Sequence, residues 1–122
     1  SLLLVLSLFI AAPAFAADLI NTTSINGFGD SGSLKVSWNV DGIAYNPVDT
    51  GRVTVYLQRY NGSWSTVTTK IATEYNTTCI DNNRYDYTVP GAGTYRIKTV
   101  FYAQDGGLTD TYTRYSPSVS VN

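Results

Sequence analysis

Residues 51–67 read GRVTVYLQRYNGSWSTV. Val53, Val55 and Leu57 alternate with Arg52, Thr54, Tyr56 and Gln58, the two-residue period of a strand with one buried and one wet face. Asn61-Gly62 follows. Both residues tolerate positive φ, so this dipeptide between two alternating segments predicts a tight hairpin. The same period appears on either side. Leu34, Val36, Trp38 and Val40 form one apolar set, Tyr85, Tyr87 and Val89 another, and Tyr95, Ile97, Thr99 and Phe101 a third. Asp41-Gly42 and Asp105-Gly106-Gly107 read as turns, Pro90-Gly91 as the close of a strand, and Pro117 as an edge position. No window carries a helical period. The expected strands are 19–28, 33–40, 51–60, 63–72, 78–89, 94–103 and 111–121. Seven short antiparallel strands in about a hundred residues predict an all-β, two-sheet sandwich.

The first sixteen residues differ in kind. Leu2 to Ala12 are almost wholly apolar, Pro13 interrupts, and Ala14-Phe15-Ala16 places small residues at −3 and −1. This predicts a secretory signal peptide over 1–16, cleaved after Ala16, and a secreted domain over 17–122. The chain opens on Ser1 with no basic segment before the apolar run, which reads as a truncated start. The alternative is a retained anchor. Leu2 to Ala17 would reach about 24 Å as a helix, against a hydrocarbon core of about 30 Å. The secreted portion is therefore expected not to span a membrane.

The sequence has 122 residues, eight Lys+Arg, nine Asp+Glu, no His and one Cys. The cations are scattered singly, so no basic stripe predicts nucleic-acid binding. Without histidine there is no Ser–His–Asp or Cys–His catalysis and no His-based zinc site. Cys79 alone forms no internal disulfide. It is expected to be a half-buried strand residue in a monomer, with an intermolecular disulfide as the alternative. A carboxylate-only hydrolase would have to use Glu74, Asp81 or Asp86. Solvated turn and edge polarity explains these three more simply. Asp105 and Asp110 lack the acidic order of a calcium loop. No metal or other cofactor is expected. Three Asn-X-Ser/Thr triplets, at Asn21, Asn61 and Asn76, read as products of an Asn- and Thr-rich composition.

Several segments together resemble a fibronectin type III-like or immunoglobulin-like domain. SLKVSWNVDG, from residue 33, is similar to that family's second strand with Trp38 as its core tryptophan. Residues 51–67 are similar to its third strand, turn and fourth strand. YDYTVPGAGTYRIKTVFYAQDGG, from residue 85, resembles its fifth strand, tyrosine corner and sixth strand, with Val89 six residues before Tyr95. SPSVSVN resembles its closing strand. The first strand lacks a proline-rich opening, the segment from Ile71 to Arg84 is long, and no Arg-Gly-Asp tripeptide occurs. The leader followed by one small sandwich also resembles short secreted proteins of Gram-positive bacteria. The resemblance implies a binding or spacer module without naming a ligand.

Ten Tyr and two Trp give the functional expectation. Tyr56 and Tyr102 fall on the outward faces of two strands that the resemblance makes neighbours, with Trp64 and Tyr112 on flanking strands and Lys98, Arg96, Thr54 and Gln58 beside them. Flat ring faces edged by hydrogen-bond donors suit sugars and peptides. Core and cross-strand packing accounts for strand aromatics equally well. The expectation is a secreted, non-catalytic module binding a carbohydrate or cell-wall polymer through Tyr56, Trp64, Lys98, Tyr102 and Tyr112. The alternative is a protein partner held at a sheet edge, with the Thr/Asn-rich segment near Cys79 as the candidate edge.

Overall fold

The computed structural model describes the backbone of residues 15–30 and 34–122 and the side chains of residues 16–26, 34–81 and 86–122. The expected signal segment lies, up to residue 14, outside the described residues. Eight strands follow in order: β1 (Phe15–Ala16), β2 (Ile20–Asp30), β3 (Lys35–Tyr60), β4 (Trp64–Cys79), β5 (Asn82–Thr88), β6 (Gly93–Asp105), β7 (Leu108–Tyr115) and β8 (Val119–Val121). All pairings are antiparallel except the short β1–β7 pair.

The 26-residue β3 organises the molecule. Its first half, around Val36–Val40, is flanked by β2 and β5, and its second half, Thr50–Arg59, by β4 and β6. The two halves belong to one continuous strand, with an irregularity in its ladder to β4 between Ile43 and Val48, so the result is one curled antiparallel sheet. Alternate residues of both halves enter the same core. Val36, Trp38 and Val40 come from the first half, and Val53, Val55 and Leu57 from the second. Tyr95, Ile97, Phe101 and Ala103 of β6 join them. Full burial of a Leu, Ile or Val side chain stabilises by roughly 1.5–3 kcal/mol, which is why the period-2 apolar sets fix which face turns inward.

The sequence places a turn at Asp41-Gly42, yet the chain remains strand there. Gly42 is needed for a close approach instead. A Cβ on it would lie 2.8 Å from the Ile80 carbonyl oxygen and 2.8 Å from Cδ1 of Phe101. Gly51 meets Ile80 likewise, at 2.9 Å from Cγ1. Ile80 is 1% exposed and seals the core between these two glycines.

Other boundaries shift for local reasons. β4 runs on past residue 72 to Cys79 because pairing with β3 continues to Ile43. Cys79 is exposed, not half-buried as expected. The last expected strand begins earlier, at Leu108, and is interrupted after Tyr115. There the backbone N–H of Ile97 donates to Ser116 Oγ at 2.8 Å, and Ser116 N–H donates to the Ile97 carbonyl at 2.9 Å. Pro117 has no N–H to add to a ladder, so β7 and β8 pair with separate stretches of β6.

The turn chemistry elsewhere is as the sequence requires. Gly62 (φ 78°) and Gly106 (φ 59°) adopt left-handed backbone at the β3–β4 and β6–β7 connections. Beyond β5, the hydroxyl of fully buried Tyr95 donates to the Gly91 carbonyl at 2.7 Å, with Val89 buried beneath. That bond ties the start of β6 to the connection leading into it.

Candidate functional site

Residues directly opposite one another in an antiparallel pair share a face. The register therefore states what the sheet presents to solvent. On β3, Arg52, Thr54, Tyr56, Gln58 and Tyr60 alternate with the buried set. They stand opposite Tyr102, Val100, Lys98 and Arg96 of β6, and opposite Thr73, Ile71, Thr69, Thr66 and Trp64 of β4. On β7, Tyr115 stands opposite Lys98, Thr113 opposite Val100 and Thr111 opposite Tyr102.

Four of the five expected site residues, Tyr56, Trp64, Lys98 and Tyr102, thus share this outer face. Tyr112 does not. It stands opposite Phe101, whose ring is in the core, so it has the opposite parity. It lies instead in a groove of about 260 Å³ with Ile20, Asn21, Thr22, Thr23 and Arg114. There Arg114 Nη1 donates to the Thr23 carbonyl at 2.5 Å and to Thr23 Oγ1 at 3.1 Å.

Tyr115, which the sequence reading did not select, completes the outer face. The missing signal was register. Counting outward in step from the Gly106-Gly107 turn pairs Asp105 with Leu108 and brings Tyr115 to Lys98.

The face is built from stacked cations and rings. The Arg96 guanidinium carbon lies 4.3 Å from the Trp64 ring centroid and 4.5 Å from that of Tyr115, a cation held between two aromatic faces. Its Nε donates to Gln58 Oε1 at 2.8 Å. Tyr60 tilts against Trp64 at 5.2 Å. Two residues further along β6, Lys98 Nζ lies 5.6 Å from the Tyr56 centroid. Beyond that, Arg52 lies 5.6 Å from the Tyr102 ring, and its Nε donates to Thr73 Oγ1 at 3.2 Å. Such contacts are worth about 0.5–1 kcal/mol each at exposed sites. They also fix long side chains that would otherwise be free. Tyr56 and Tyr102 are not adjacent: their strand positions are four residues apart in register, about 13 Å. Tyr60, Ile71, Tyr75 and Tyr115 are exposed around them.

The carboxylates named for a hydrolase are divided. Glu74 and Asp81 are hydrogen-bonded to one another. That bond first, then burial and the Asp81 charge, pushes the Glu74 carboxyl up to about 7. Asp86 accepts a short hydrogen bond from Ser37 Oγ on the facing strand. The two carboxylates of a glycosidase stand about 5–9.5 Å apart, wider than a hydrogen-bonded pair. Asp110 is committed to the fold: its Oδ2 accepts the backbone N–H groups of Leu19 and Ile20 at 2.9 and 2.8 Å. Among the described residues, no group of three or more Cys, Asp and Glu is placed to hold a metal ion.

No protein-family model matches the chain, and no curated protein sequence matches it. Among solved structures it is similar to part of a family 76 glycoside hydrolase from a bovine Bacteroides thetaiotaomicron strain. That match has 18% identity and a TM-score of 0.50, over 86% of this chain and 20% of the hydrolase. The chain therefore spans about a fifth of that protein's length. A CARDB domain from Pyrococcus furiosus, solved with di-metal ions, aligns over 87% of this chain and 98% of its own, at 15% identity and a TM-score of 0.41. At 18% identity the hydrolase match is a likeness of fold alone.

Proposed function

We propose that this chain is a non-catalytic binding module of fibronectin type III-like or immunoglobulin-like two-sheet architecture. In this reading it is exported after removal of residues 1–16 and acts at the cell envelope or extracellular surface, where its outer face binds a carbohydrate or cell-wall polymer. The architectural part is supported by the Tyr95 hydroxyl bonded to the Gly91 carbonyl. It is supported further by the order in which β2, β3 and β5, and then β4, β3, β6 and β7, lie side by side.

One observation carries the binding part. Tyr56, Trp64, Tyr102 and Tyr115 stand on one face, each with a cation between 4.3 and 5.6 Å from its ring centroid. Tyr115 is exposed and the other three rings are half-buried; the ring surface left open offers a sugar's C–H surface a flat apolar contact, and neighbouring N–H groups offer its hydroxyls partners. The lack of a histidine and the engagement of Asp86 and Asp110 within the fold favour binding over catalysis.

Retention of the purified protein on insoluble polysaccharides and cell walls, read by depletion from the supernatant, tests this. Tyr56→Ala and Trp64→Ala should each release the protein while thermal unfolding remains cooperative. Undiminished retention in both variants overturns the assignment of the face.

A second reading is favoured by β4. This 16-residue strand pairs with β3 alone among the described strands and ends at exposed Cys79. Its remaining backbone edge could receive a partner strand. A disulfide-linked species on non-reducing gels that disappears in Cys79→Ser would support it.

A further inference from the structure

The outer face is charge-segregated. The chain has nine Asp+Glu against eight Lys+Arg, yet the residues sharing this face include Arg52, Arg96 and Lys98 and no carboxylate. Glu74 stands opposite Gly51, Asp105 opposite Leu108 and Asp110 opposite Ala103, all on the other parity. The three cations make no ion pair among the described residues. They are held by rings and by neutral partners.

Both arginines are held at Nε, Arg96 also between two rings at 4.3 and 4.5 Å and Arg52 beside one at 5.6 Å. Arg96 spends Nε on Gln58 and Arg52 spends Nε on Thr73. Among the described residues, the terminal nitrogens of both make no hydrogen bond. A guanidinium held at Nε and against a ring presents its Nη edge with less rotamer freedom to lose, Arg96 more so than Arg52. That edge matches a carboxylate in a bidentate pair. Each cation also stands beside an aromatic side chain, Lys98 directly across from Tyr56 and Arg52 directly across from Tyr102. Directly opposite Cβ atoms are about 4.5–5.5 Å apart. A ligand whose charge is carried on the sugar ring itself meets both partners with one residue.

We propose that the ligand of this face is an acidic polysaccharide bearing ring carboxylates, a polyuronate, whose carboxylates are held by Arg52, Arg96 and Lys98 while its sugar rings contact the adjoining aromatic side chains. The proposal rests on the carbohydrate-binding reading above. Three cations on a protein of net charge −1 are too few for the multi-phosphate neutralisation on which nucleic-acid affinity depends.

The test is titration of the purified full chain with four probes: a polyuronate, the same polymer after carboxyl reduction, a sulfated polysaccharide and single-stranded DNA. The polyuronate should bind at least tenfold more tightly than its carboxyl-reduced form, and more tightly than the sulfated polymer or DNA. Its affinity should fall as salt rises. Arg52→Gln, Arg96→Gln and Lys98→Gln should each weaken polyuronate binding several-fold. Lys35→Gln removes the same charge from an exposed position at the start of β3 and should not.

Equal affinity for the polyuronate and its reduced form overturns the charge inference and leaves the carbohydrate reading standing. Preference for the sulfated polymer or for DNA overturns the inference as well. Binding to none of the four, with the fold intact, removes the polyuronate inference; failure on the insoluble polysaccharides and walls in addition removes the carbohydrate reading beneath it. If Arg96→Gln unfolds because its sandwich is lost, Arg52→Gln and Lys98→Gln decide.

Discussion

The backbone N–H of Ile80 donates to the carbonyl of Gly42 at 2.8 Å, and a methyl group on Gly42 would lie 2.8 Å from the Ile80 carbonyl oxygen. The bond and the missing side chain are two sides of one contact. The segment linking β4 to β5 can cross β3 at this distance only where β3 has no Cβ. The opposing atom is backbone, and Phe101 crowds the same point with 0% exposure. Gly42→Ala should therefore cost about 1–3 kcal/mol, the range for overpacking a closed core. Gly107→Ala, where an added Cβ meets nothing within 4 Å, should change stability by less than about 0.5 kcal/mol. Urea unfolding of the two variants gives the comparison. Equal midpoints would show that the crossing relaxes freely.

Thr99 is fully buried, and its Oγ1 has no hydrogen-bond partner among the described residues. A buried hydroxyl left unsatisfied costs about 1–3 kcal/mol. Valine has nearly the same shape without the polar atom. Thr99→Val should raise stability by about 1 kcal/mol, which in a domain of this size is a rise of about 4–8 °C in Tm. Calorimetry of the single variant checks it. An unchanged or lowered Tm would mean that the hydroxyl is satisfied in solution.

The Glu74–Asp81 pair makes stability depend on pH with a defined sign. The Glu74 carboxyl is raised in the folded protein, from 4.5 to about 7, so between those values the folded chain holds a proton that the unfolded chain has released. Stability must then fall as pH rises through that window and level off above it. Thermal unfolding from pH 4.5 to 8 should show the decline. Glu74→Gln, which keeps a donor to Asp81 and cannot titrate, should flatten it. A profile identical to the parent would remove Glu74 as the source.

Which of these features the sequence carried follows from what each depends on. Face assignment is local: the inward set of Val53, Val55 and Leu57 was legible because period-2 burial is written residue by residue. The turns at Gly62 and Gly106 were legible because positive φ selects glycine. Gly42 uses the same residue type for a different reason, the distance to a segment nearly forty residues later, and no local signal separates the two uses. Tyr112 failed in another way. Its strand was placed, but not its register, and a shift of one residue in register reverses every side chain of a strand. The stacking of Arg96 between Trp64 and Tyr115 joins three strands across a fourth, β3, and depends on three registers at once, so its parts were visible in the sequence and its assembly was not.

Tyr112 and Tyr115 therefore form an internal control for the site. They lie three residues apart on one strand, both about half exposed at 53% and 51%, and on opposite faces. Tyr115→Ala removes one of the two rings that hold Arg96. If the outer face binds polysaccharide, this variant should weaken retention several-fold. Tyr112→Ala should leave retention at the parent level while altering only the groove beside Thr23 and Arg114. Neither residue is part of the buried core, so both variants should unfold within a few degrees of the parent. The reverse pattern, retention lost with Tyr112 and kept with Tyr115, would move the site from the outer face to the groove between β2 and β7. In that case Arg114, already oriented there by Thr23, would become the next residue to replace.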